Sequence, residues 1–214
     1  MRAIVCAVAG LVLAATPLPA ADLVDAVVGE AEGRVATASD VGLARALGLF
    51  GFTATNAAIT PADVDRLLDA WLVVAEAQRL GIGGGPDEVD AAWTQVAQRF
   101  GGDAELESWF ERVAVEPGRA RAMVGDHARW DRFIEVRFRQ FAFVLPDQVA
   151  AALGAGTHSE QEEAEARERL RTAETEQRLA AWLADRRQRT HVQRVLYDDR
   201  TLPDPIPMPP GVTR

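Results

Sequence analysis

The sequence predicts a mainly α-helical fold with a small N-terminal β-hairpin that a C-terminal strand joins. Three observations predict it. Between Thr60 and Leu153, apolar residues recur at helical spacing in successive segments, most of them opened by a capping residue or proline and closed by glycine. Leu23–Val28 and Arg34–Thr37 are short apolar stretches separated by a glycine-bearing turn. His191–Tyr197, HVQRVLY, alternates and carries β-branched residues, as a strand does.

The elements follow in order. Residues 1–21 have a basic start at Arg2, an apolar run Ala3–Ala15 and small residues Ala20 and Ala21, the build of a cleaved secretory signal peptide. The run is short for a bilayer span, and no later segment approaches that length, so the mature chain is not expected to cross a membrane. In the hairpin, Gly29 and Gly33 bracket the turn. Thr37 or Ser39 caps a helix through about Leu49, and Phe50–Ile59 is a linker. Thr60 and Pro61 open the strongest helix, which Gly81 ends. Its middle, AWLVVA, is apolar on nearly every face, so Leu67, Leu68, Trp71, Leu72 and Val74 should form the centre of the core.

Asp87–Phe100 places Val89, Ala92, Trp93, Val96, Ala97 and Phe100 on one stripe. A helix from Asp103 turns Leu106, Trp109, Phe110 and Val113 inward. Pro117 opens a helix to about Phe141, with Met123, His127, Trp130, Ile134, Phe138 and Phe141 on a face. Pro146–Leu153 is a short helix, and residues 154–159 are a joint. Ser159 caps a very polar helix to about Arg189, anchored only in its second half by Leu179, Ala180, Trp182 and Leu183. The strand near His191 should pair with the N-terminal hairpin, residues 160–200 packing on the core 22–153. Residues 201–214 hold five prolines and read as a loose tail.

Composition narrows function. The only cysteine, Cys6, falls in the leader, so the mature chain has no disulfide, thiol nucleophile or thiolate metal site. The chain has no lysine, and removing Arg2 with the leader takes the net charge from −9 to −10. Such an acidic chain is a poor partner for nucleic acid. His127, His158 and His191 are scattered, with no second ligand at metal spacing. There is no GxSxG elbow, and the glycines of GIGGGP follow a helix rather than a strand. No catalytic residue, cofactor or metal is expected. Six arginines between Arg119 and Arg139 can meet an acidic partner or a phosphate-rich surface, or pair with Asp126, Asp131 and Glu135 along their own helix.

Several of these stretches resemble one family. LVDAVVGEAEGRVATASDV at 23–41 looks like the opening hairpin of the SurA-type periplasmic chaperones. ADVDRLLDAWLVVAEAQRLGI, PDEVDAAWTQVAQRFGGDAELESWF and RWDRFIEVRFRQFAFVLPDQV are similar to its successive helices, and LAAWLADRRQRTHVQRVL to its closing helix and strand. The resemblance covers most of 22–153 and 179–197. The hairpin asparagine is absent here, and Gly29–Gly33 is a longer turn than usual. The family inserts parvulin-type isomerase domains between the LPDQV exit and the closing helix; here that gap is only Ala150–Ser159. The resemblance therefore implies a periplasmic, ATP-independent chaperone core without prolyl isomerase activity, whose clients are unfolded outer-membrane β-barrel precursors. A dedicated interaction subunit with one fixed partner is the alternative. For either role Phe50, Phe52, Trp109, Phe110, Met123 and Trp130 are the candidate client-binding residues if they line an apolar groove; otherwise they complete the core. The short joint also allows a homodimer by swapping of the closing helix.

Overall fold

In a computed structural model, residues 25–55, 57–195 and 206–207 are described. The leader 1–21 lies outside them, as does the tail apart from Ile206 and Pro207. Strands β1 (Val27–Ala31) and β2 (Arg34–Thr37) form the hairpin. Its turn is two residues, not the five from Gly29 to Gly33: Glu32 and Gly33 both have positive φ, at 54° and 74°, the backbone twist that suits a two-residue hairpin. The first strand therefore begins later and runs further than Leu23–Val28. Gly29 belongs to β1, where a Cβ would meet Gln193 O at 2.9 Å and a Leu68 methyl at 3.0 Å. Only glycine lets this strand lie between its neighbours at that distance. Pairing steps from Val27 opposite Thr37 to Gly29 opposite Ala36, so Val28 is the extra residue of a bulge.

Strand β3 (Val192–Arg194) pairs antiparallel with the other edge of β1, giving the order β2-β1-β3. The fold is thus mainly helical with a small three-stranded sheet, as the sequence predicts. Helix α1 (Ala38–Ala46) ends earlier than Leu49; Thr37 is its cap, in a reciprocal box with Asp40. Thr60 and Asp63 repeat the box at α2 (Pro61–Arg79). The buried residues of α2 include Leu67, Leu68, Trp71, Leu72 and Val74, the predicted centre. Helix α3 (Pro86–Phe100) turns Val96 and Ala97 fully inward, and α4 (Asp103–Arg112) buries Leu106, Trp109 and Phe110.

Helix α5 (Pro117–Arg137) packs across α2 and α3. It stops before Phe141, because Phe138 leaves helical geometry and a 3-10 turn, Arg139–Phe141, follows. Phe138 stays buried, but Phe141 is half exposed rather than on the inward face. Helix α6 (Pro146–Leu153) lies against α7 (Glu160–Arg189), whose Ser159 cap forms a third box with Glu162. Trp182, Leu183 and Leu179 anchor α7 to a cluster around Val73, Ala77, Phe133 and Phe138. Ala180, also predicted as an anchor, is exposed. Ion pairs complete this docking: Arg186 to Glu32 at 2.7 Å, Arg187 to Asp69 at 2.6 Å and Arg194 to Asp65 at 2.8 Å. The closing helix of a single chain thereby packs on its own core.

Candidate functional site

The six residues predicted to line a groove divide unevenly. Phe50, Phe52, Trp109, Phe110 and Met123 are buried in the main core, and Trp130 is partly buried against it. They do not form an open apolar groove in this conformation; their rings pack on one another instead. Phe50 meets the Trp130 ring edge-on at 6.1 Å, Trp109 meets Phe100 at 5.1 Å, and Phe110 stacks near Trp93 at 6.0 Å. Three large aromatic faces are thus consumed in ring–ring contacts that only a closed core supplies. Phe50 and Trp130 do line part of a solvent-open pocket of about 380 Å³, together with Arg66 and Asp69 of α2 and Leu179 and Leu183 of α7.

Among the described residues, the densest run of exposed large apolar side chains lies elsewhere. Between α5 and α6, Phe141, Phe143 and Leu145 are 50%, 76% and 56% exposed within five residues. The local cause is the 3-10 turn after α5, followed by extended chain into Pro146. Extended backbone turns alternate residues the same way, so the apolar side chains point out together while Ala142 points in. Sequence reasoning placed Phe141 on the inward face of a longer helix and left Phe143 and Leu145 unassigned. The signal that marks them is FAFVLP itself, an apolar run without helical period just before a proline.

His127 holds the backbone of the α1–α2 linker. Its Nδ1 accepts the Phe50 N–H at 3.3 Å, and its ring meets Phe50 edge-on at 5.3 Å. Phe50 sits at φ 52°, a left-handed conformation that costs a non-glycine residue energy, and this bond helps to keep it there. Burial pushes the imidazole down to about 4, and the Arg99 charge adds to the depression. Arg45, 3% exposed, ties down the same linker: its guanidinium donates to Thr55 O, Ala57 O and Ala58 O at 3.2, 2.8 and 3.3 Å. Nothing in the composition marked this arginine out from the other arginines.

Among the described residues, no three His, Asp or Glu side chains gather as a metal site would need. No described helix is long and apolar enough to cross a membrane. The arginines of α5 are engaged mostly with other elements rather than along their own helix. Arg119 pairs with Asp40 at 2.7 Å, Arg121 with Asp90, and Arg132 with Glu88 at 3.8 Å. Only Arg129 with Asp126 and Arg139 with Glu135 keep the predicted helical pairing, and Arg139 also reaches Glu168 of α7. Asp131 instead faces His127 Nε2 at 3.4 Å.

The two described residues of the tail, Ile206 and Pro207, both meet the core. Trp109 Nε1 donates to Pro207 O at 3.0 Å, and Ile206 packs against the core over Gly42 of α1. The expected loose tail is held at this point. No protein-family model and no curated protein matches the chain.

Proposed function

We propose that the protein is an exported, periplasmic chaperone that binds unfolded envelope polypeptides, outer-membrane β-barrel precursors foremost, without ATP and without prolyl isomerase activity. The observation that carries this reading is the outward-facing run Phe141, Phe143 and Leu145. Three large apolar side chains exposed within five residues are a surface of the kind that binds other polypeptides. It discriminates little, since apolar burial depends on area rather than on sequence. The hairpin, the helical core and the closing helix and strand follow the order expected from the resemblance to SurA-type chaperones. The segment between α6 and α7 is six residues, Gly154–Ser159, which leaves no place for an inserted isomerase domain. Binding is passive: a client held transiently is removed from the aggregating pool by mass action.

The purified mature chain, mixed with a chemically unfolded β-barrel protein on dilution, should suppress light scattering. Phe143→Asp should lose most of that suppression. Because Phe143 is 76% exposed, its stability should change by no more than about 0.5 kcal/mol. Unchanged scattering with the wild-type chain would remove the general chaperone reading. A single partner retained through purification would then favour the dedicated interaction subunit.

A further inference from the structure

The contact between the tail and the core has the form of a ligand in a site. Its floor is Gly42 of α1, which is buried with Ile206 lying over it. A Cβ there would find Ile206 Cγ1 at 3.1 Å, Cδ1 at 3.2 Å and Cβ at 3.6 Å, and these are the nearest atoms it would meet. The missing side chain of Gly42 is the space Ile206 fills. Its wall is Trp109 of α4, whose ring is packed against Phe100 and Phe110 and whose indole N–H points out to Pro207 O. Recognition therefore uses one apolar side chain and one main-chain carbonyl. Neither demands a particular sequence, and the carbonyls of an extended proline-rich segment have no internal hydrogen-bond partner. The seated residues belong to LPDPIPMPP, with prolines at 203, 205, 207, 209 and 210. Such spacing favours an extended polyproline conformation that binds with little ordering cost, and aromatic grooves commonly receive it through side-chain donors to its carbonyls.

We infer that the Gly42–Trp109 groove is a binding site for an extended, apolar, proline-containing polypeptide segment, and that the chain's own Ile206–Pro207 occupies it until such a segment displaces them. The natural occupant rests on the polypeptide-binding reading above; the site itself does not. The tail is tethered, so it acts at an effective concentration in the millimolar range for a short linker. A competing segment must be abundant or bind at several points. Unfolded chains already held at Phe141–Leu145 satisfy the second condition.

The test uses the full mature chain and a fluorescent peptide with the sequence of residues 201–214, followed by anisotropy. Ile206→Asp puts a carboxylate where the apolar side chain sits and should release the tail. It should bind the peptide at least tenfold more tightly than the wild-type chain, because the tethered competitor is gone. Adding Gly42→Leu, which fills the groove with a good helix former, should abolish that gain while leaving the far-ultraviolet circular dichroism unchanged. An unrelated apolar Xaa-Pro peptide should compete with the probe, whereas a polar peptide of equal length should not. No gain on Ile206→Asp, or a gain that Gly42→Leu leaves intact, would overturn the proposal. A second readout needs no variant. Excess of the unrelated apolar Xaa-Pro peptide added to the wild-type chain should shift the resonance of the Trp109 indole N–H, which Pro207 O holds at rest; an unmoved resonance at millimolar concentrations of that peptide counts against the site. Light scattering is scored separately. Peptide binding without suppressed aggregation would keep this site and discard the general chaperone, and the reverse result would do the opposite.

Discussion

At the scale of single residues, two buried polar groups fix the linker that carries Phe50. Arg45 is bound by three carbonyls, and Asp63 lies 3.6 Å from its guanidinium. Arg45→Met keeps the volume and removes every donor to the linker; because Thr55, Ala57 and Ala58 are exposed, water replaces part of what is lost, and the chain should be destabilised by about 1 kcal/mol in chemical denaturation. His127 makes a pH-dependent contribution. Its folded pKa lies near 4, below the ordinary 6.5, so the unfolded state binds the extra proton between these values. The stability it supplies is complete above pH 6.5 and is lost as pH falls toward 4; burial raises Asp131 to about 6, so proton uptake there in the folded state opposes part of the loss and leaves about 2 kcal/mol. His127→Asn retains an acceptor for the Phe50 N–H and does not titrate. Its stability should therefore fall less than the wild type's between pH 7.5 and 4.5. Neither role was legible in the sequence. An arginine among many and a histidine on a helix face acquire meaning only when a distant loop is laid across them.

At the scale of elements, the sequence was most readable where local chemistry decides. The three boxes at Thr37, Thr60 and Ser159 stand where an oxygen-bearing cap precedes an acidic third residue. Thr60→Ala, at an exposed cap, should cost about 1 kcal/mol and lower the melting temperature accordingly. Boundaries set by tertiary contact were less readable. Nothing local ends α5 before Phe141; Phe138 ends it by turning into the cluster with Phe133 and Trp182, at 5.8 and 6.2 Å. Gly29 looked like a turn residue because glycine usually is one, whereas its reason is the close approach of β3 and Leu68. Helix α7 joins both regimes. Its first half is polar and buries Ala166 and Thr175, while its second half carries Trp182, Leu183 and the ion pairs to the core. Hydrogen exchange should accordingly be faster through residues 160–172 than through 179–188. Equal protection along the helix would mean that α6 stabilises the first half as firmly as the core does the second.

At the scale of the whole molecule, the aromatic content that suggested a client groove went into the core. The expected site residues were legible as apolar but not as surface, because periodicity says which residues share a face and not whether another element covers it. Helix α3 packs on both α4, which carries Trp109 and Phe110, and α5, which carries Met123, while Pro207 lies against the Trp109 indole N–H. Among the described residues, the most exposed large apolar side chains cluster in the short run after α5, and the groove under the tail is a second place where a segment can dock. The central claim is that this outward run binds unfolded chains, and the most direct measurement is the dilution assay with an unfolded β-barrel protein. The wild type should suppress scattering. A chain with Phe141, Phe143 and Leu145 all replaced by aspartate should not, although it unfolds at the same denaturant concentration. Equal suppression by the two chains would contradict the account.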